Sequence, residues 1–172
     1  MSLPSWTEAL TTTWQRLARA DRPPRVAVLG IGNALNGDDG AGPAVVERLQ
    51  ATLPPRPDLL LLDCGVAPEN ETGTLRRFAP DLVLLLDAAQ MDALPGTVLW
   101  IPREQIAGLS ASTHSLPLSL LATYLQAELG CTVALLGIQP ASNETGSALS
   151  APVRAAVQTV AETLAGLLLA SQ

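Results

Sequence analysis

The sequence contains no lysine. Its ten basic side chains are all arginines, set against sixteen carboxylates, and the formal net charge is −6 at pH 7. Such a surface is a poor match for nucleic acid, because neutralising phosphates supplies most of that affinity. It suits a cation or a basic peptide better. Cysteine is scarce too: Cys64 and Cys131 are too few for a disulfide framework and point to a reducing, cytoplasmic setting. No apolar run reaches the roughly 20 residues of a membrane span. The N-terminus has no basic region followed by an apolar core, so neither membrane insertion nor a signal peptide is expected. There is one histidine, His114.

What is present fits one α/β domain. A chain of 172 residues buries roughly 70% of its unfolded surface without needing a disulfide or structural metal. Hydrophobic residues, mostly Leu, Val and Ala, make up 48%, which suits a buried sheet between helices.

The most informative stretch runs from Ala27 to Pro43. Val26 to Leu29 reads as a buried strand, a glycine-rich loop follows, and Pro43 opens a helical pattern with Val45, Val46 and Leu49 on one face. Strand, glycine loop and helix usually cradle a phosphate. Here the loop carries adjacent carboxylates, Asp38 and Asp39. At about 4 Å and an effective dielectric near 20, such a pair repels by roughly 4 kcal/mol. A phosphate is disfavoured and a cation favoured. The plain alternative is that both aspartates cap a helix N-terminus.

Ahead of this stretch, residues 5–19 read as a helix, with Ser5 and Glu8 at capping-box spacing and Trp6, Leu10, Trp14 and Leu17 on one stripe. Asp21-Arg22-Pro23-Pro24 ends it. Further strands are expected at Leu59–Leu62, Leu82–Leu86, Thr97–Ile101 and Thr132–Leu136. The few residues between Asp87 and Thr97 are short for a parallel crossover, which predicts an antiparallel fourth strand. Helices are expected at 72–78, 116–129 and after Ser150, which is placed to cap the last. The pattern is an α/β three-layer sandwich: a twisted, mostly parallel sheet of about five strands flanked by helices.

In open parallel sheets the site lies beyond the carboxyl ends of the strands. Asp39, Asp87 and His114 fall at such ends or in neighbouring loops. Two carboxylates and an imidazole suit a borderline divalent metal with positions left open. Each has a plainer reading as a cap, a turn residue or a loop histidine, and Asp63 reads as a strand-end turn residue. Cys64 with His114, or Ser112 with Asp87, can be drawn as a nucleophile and its helper. Neither has a recognisable nucleophile elbow, and Cys64 reads as a small buried side chain.

Several segments together resemble the hydrogenase maturation endopeptidases. They are Gly30-Ile31-Gly32-Asn33 with Gly37-Asp38-Asp39-Gly40-Ala41-Gly42-Pro43, Asp63-Cys64-Gly65 with Ala67-Pro68-Glu69-Asn70, Leu86-Asp87-Ala88, Thr113-His114 with Pro117-Leu118, and Gly137-Ile138-Gln139-Pro140. They run in order from about residue 26 to 165. The second and last look most like the branch that processes the hydrogenase 3 large subunit.

The resemblance implies a cytoplasmic, aspartyl-type endopeptidase occupying residues 25–170, with residues 1–22 as a helical extension of the same domain. It would remove the C-terminal extension of a [NiFe]-hydrogenase large-subunit precursor after nickel insertion. The metal-binding and catalytic positions it implies fall on Asp39, Asp87 and His114, with Asp38 as a supporting neighbour. The nickel is expected to arrive with the substrate, with no tightly held resting metal. Two further readings remain at this point: a nickel-binding chaperone or sensor with the same ligands, and a peptidyl-tRNA-hydrolase-like enzyme. The acidic charge argues against the second.

Overall fold

Val26–Ile31 and Leu82–Ala88 are buried along their whole length, and Thr132–Ile138 is buried after its first residue. Strands with no polar face must be covered on both sides. In the computed structural model, which describes residues 5–107 and 117–170, these three form the middle of one sheet. The strands are β1 (Val26–Ile31), β2 (Leu59–Gly65), β3 (Leu82–Ala88), β4 (Val98–Pro102) and β5 (Thr132–Ile138), in the spatial order β2-β1-β3-β5-β4. All neighbours run parallel except β4, which pairs antiparallel with β5 as its short connection predicts.

Side chains alternate between the two faces with the strand period of two. Val28, Leu84 and Leu136 face one core with Leu10, Val45, Leu49, Val157 and Val160. Leu29, Val83, Leu85 and Leu135 face the other with Leu75, Leu121 and Leu125. The first core is covered by α1 (Trp6–Leu17), α2 (Ala41–Thr52) and α6 (Ala151–Ala170), the second by α3 (Thr72–Phe78), α4 (Arg103–Ile106) and α5 (Leu118–Leu129). This is the three-layer arrangement expected from the sequence.

The N-terminal helix has both halves of its capping box: Glu8 N–H donates to Ser5 Oγ (3.2 Å), and Ser5 N–H donates to Glu8 Oε2 (2.8 Å). It buries Leu10 and Trp14 in the first core, with Trp6 packed partly against it. The linker to β1 is fastened to the start of β3. Arg22 donates to both oxygens of Asp81 (2.6 and 3.1 Å), and Arg25 N–H donates to Asp81 Oδ2 (2.8 Å). The helix α6 is long and apolar enough by composition to cross a membrane. Here it lays Val153, Val157, Val160, Leu164 and Leu168 on the first core.

Three short elements and the start of α2 depart from the sequence reading. A 3-10 turn occupies Gly37–Gly40, a second occupies Pro68–Glu71, and α4 follows β4 directly. The helix α2 starts at Ala41 rather than Pro43. Proline is tolerated inside a first turn because the amide it lacks has no partner there.

Candidate active site at the carboxyl edge of the sheet

The glycine loop after β1 folds tightly onto the carboxyl ends of β1 and β3. Gly42, in the first turn of α2, lies so close that a Cβ there would run into the carbonyl oxygens of Leu86 and Ile31. Gly32 has φ +133°, and a Cβ on it would collide with the Asp39 carbonyl oxygen. These close approaches set the 3-10 turn that carries Asp38 and Asp39 beside the end of β3, where Asp87 stands. All three carboxylates are buried, at 0%, 4% and 1% exposure respectively.

The adjacent aspartates have different partners. Asp38 accepts four hydrogen bonds: from the amides of Ser150 (2.6 Å), Ala141 (2.8 Å) and Ser142 (3.1 Å), and from the Ser150 hydroxyl (2.9 Å). Burial alone would push this carboxyl up. The donors outweigh burial and hold it below the usual carboxylate range. Asp39 accepts the Asn33 amide at Oδ2 (2.8 Å). An ionised carboxylate offers about four lone-pair sites, so Asp38 is saturated and Asp39 retains capacity for a cation.

This corrects two expectations. The mutual repulsion of Asp38 and Asp39 does not govern the loop, because the Asp38 charge is stabilised by donors from the 141–150 segment. Nor do the aspartates cap α2, whose N-terminus has no side-chain cap. Asp38 instead serves the N-terminus of α6 by way of Ser150. The Ser150 hydroxyl, expected to cap that helix, is spent on Asp38.

Asp87 ends β3 opposite Gly137 of β5. The loop after it is held by Gln139, 3% exposed. Its Oε1 accepts the amides of Met91 (2.7 Å) and Ala93 (3.3 Å), and its Nε2 donates to Gln90 Oε1 (3.0 Å). The sequence reading quoted Gln139 in a motif without giving it a role. Asn33 was likewise quoted without its part in holding Asp39. A polar residue directly after an apolar strand run was the available signal for Gln139.

Asp63 behaves as the turn residue expected of it: Gly65 N–H, at φ +52°, donates to its Oδ1 (3.0 Å). Cys64 has no partner opposite it, because β1 skips a position there, with Gly30 against Asp63 and Ile31 against Gly65. Burial, reinforced by Glu71 and Asp63, pushes its thiol up to about 12. Such a group is no nucleophile near neutral pH. His114 and Ser112 lie outside the described residues. Among the described residues no three His, Cys, Asp or Glu side chains gather as a metal site.

A family model described as hydrogenase maturation protease matches residues 43–167. The hydrogenase 3 maturation protease of Escherichia coli K12 is 36% identical over 140 residues, which cover 81% of this chain and 88% of that protein. The crystal structure of the [NiFe] hydrogenase maturation protease HycI from Thermococcus kodakarensis KOD1 superposes with a TM-score of 0.78 at 34% identity, covering 84% of this chain and 92% of that one. The hydrogenase maturating endopeptidase HybD of Escherichia coli superposes with a TM-score of 0.72 at 27% identity, covering 86% and 93%.

Proposed function

We propose, on the premise that the chain belongs to the hydrogenase maturation protease family, that it removes the C-terminal extension of a [NiFe]-hydrogenase large-subunit precursor once nickel is in place. As a family member it is a peptidase. That assignment sets aside the peptidyl-tRNA-hydrolase-like reading. The finer reading rests chiefly on the pairing of Asp39 and Asp87: two buried carboxylates from adjacent structural elements at the carboxyl edge, while the neighbouring Asp38 is saturated elsewhere.

Nickel would come as part of the substrate, and Asp39, Asp87 and His114 would hold it. Binding it offsets the charge that the two buried carboxylates bring into one place. Holding the metal fixes the neighbouring scissile bond against the site, a positioning effect. A carboxylate then serves as general base toward water. Cleavage proceeds without a covalent cysteine intermediate, in keeping with the raised Cys64 thiol. The free thiols Cys64 and Cys131 suit work in the cytoplasm.

The test is elemental analysis of the purified protein, followed by cleavage assays on nickel-loaded and nickel-free precursor. Little bound metal, cleavage of the loaded precursor alone and survival of mild chelation are expected. Asp39→Asn, Asp87→Asn and His114→Ala should each abolish processing while the protein stays folded. Stoichiometric tightly held zinc, or efficient cleavage of nickel-free precursor, would overturn substrate-borne nickel. A nickel chaperone would bind loaded precursor and release it uncut.

A further inference from the structure

Charge is sorted along the sheet. The carboxyl ends of β1, β2, β3 and β5 and the loops after them, residues 31–40, 63–71, 87–97 and 138–150, hold eight carboxylates and no arginine. Arginines gather at the opposite edge, where Arg25 precedes β1, Arg56 precedes β2, Arg77 ends α3 and Arg103 follows β4. In a chain without lysine, these loops therefore carry charge of one sign, with Asp63, Asp92 and Glu144 exposed on them; Arg154, exposed in the first turn of α6, follows the last of them.

Three large apolar side chains project from the same loops. Leu35 is 72% exposed after β1, Val66 is 45% exposed after β2, and Leu94 is 80% exposed after β3. The loops form one connected rim. The β1 and β2 loops share a cleft of about 330 Å³ lined by Asn33, Ala34, Asp63 and Val66. Gly146 N–H donates to the Leu35 carbonyl (2.7 Å), and Gly96 N–H donates to the Gln139 carbonyl (2.8 Å). The 139–150 segment thus ties the Leu35 loop to the Leu94 loop.

We propose that this rim, with Leu35, Val66 and Leu94 as apolar contacts within a border of predominantly acidic loops, docks a basic segment of the large-subunit precursor that also carries apolar side chains. The inference rests on the maturation-protease reading above. Charge complementarity selects that occupant: the border attracts a basic segment and repels an acidic one, including this chain's own carboxyl edge. Exposed leucines give such an encounter its desolvated contacts. Asp39 and Asp87 lie at the base of the same loops, so a docked segment leads toward them.

Steady-state cleavage of nickel-loaded precursor tests the dock. Leu35→Ser/Leu94→Ser should raise KM about tenfold or more with little change in kcat, because it removes two contacts that docking would bury. Asp92→Arg/Glu144→Arg should also raise KM and weaken its dependence on salt. Leu169→Ser, on an exposed position of α6, should leave KM unchanged. Melting temperatures of all variants should stay near wild type, since every altered side chain is exposed. If the wild type cleaves and Leu35→Ser/Leu94→Ser keeps its KM, the dock is wrong and the activity stands. A wild type that cleaves no precursor removes both. A wild-type dimer dissolved by Leu35→Ser/Leu94→Ser would assign the rim to a second copy and overturn the proposal.

Discussion

Replacing Asp38 with alanine should destabilise the protein far more than its surface-loop position in the sequence suggests. The side chain is fully buried and accepts four hydrogen bonds from residues 103 to 112 positions later in the chain. Hydrogen bonds to a charged acceptor contribute about 1.5–3 kcal/mol each. Three terms reduce the sum. Ala141 and Ser142 are exposed, so water can replace their lost acceptor. Removing the carboxylate also recovers its own desolvation penalty. Such contributions are not additive. A net loss of about 3 kcal/mol results, near the lower end for breaking a buried charged pair. For a protein of this size that lowers Tm by about 6–12 °C. Asparagine should fall between. Its oxygen can occupy the Oδ2 position and keep three donors, but its NH₂ then faces the Ser150 amide, donor against donor. A loss of about 2 kcal/mol is expected. Ser150→Ala removes one hydroxyl donor, for about 1 kcal/mol. Urea titrations of the three variants measure the series, and limited proteolysis should show cuts at 141–149 appearing first in the alanine variant. Were Asp38→Ala to unfold within about 0.5 kcal/mol of wild type, the tethering role derived from its four bonds would be refuted.

Gly32→Ala should prevent processing and lower Tm, because the new Cβ would displace the Asp39 carbonyl and its φ of +133° is strained for alanine; a crystal structure with Asp39 unmoved would contradict this. Trp14→Ala should destabilise by about 3–5 kcal/mol in denaturant titration if α1 is part of the core, whereas a shift confined to precursor binding would make the helix a docking element. Asp81 is held below the usual carboxylate range, first by its hydrogen bonds from Arg22. A depressed carboxyl contributes stability above its unfolded value near 3.9 and loses it as pH falls through the folded value. Asp81→Asn should therefore be less stable than wild type at neutral pH, and the gap should close below about pH 4; a gap that persists at pH 2 would show that charge is not its source.

Much of the architecture was legible because it depends on local pattern. Val26–Ile31 and Leu82–Ala88 carry no polar face, and the short connection to β4 leaves no room for a crossover helix. What escaped the sequence reading was set by distant partners. The turn at Gly37–Gly40 has no side-chain cap and is held by bonds to the 141–150 segment, such as Asp38 N–H to the Ser142 carbonyl (3.0 Å). The start of α4 directly after Pro102 likewise has no side-chain cap to announce it. The purpose of Gln139 became visible only once the loop after Asp87 had folded around it.

The same limit explains why spacing alone could not separate the roles of the adjacent aspartates, and it shows where a second ligand has to come from. Asp38 and Asp39 occupy a 3-10 turn, in which successive side chains are set about 120° apart. Two neighbours in such a turn do not present both carboxylates to one small cation. One of them faces the 141–150 segment and is saturated there, and the other faces Asn33. A two-carboxylate site at this edge therefore requires an acid from another element. The 3-10 turn packs against β3, and Asp87 is the only acid β3 carries. On this argument the proposed functional pair is Asp39 and Asp87, and Asp38 holds the turn that carries Asp39.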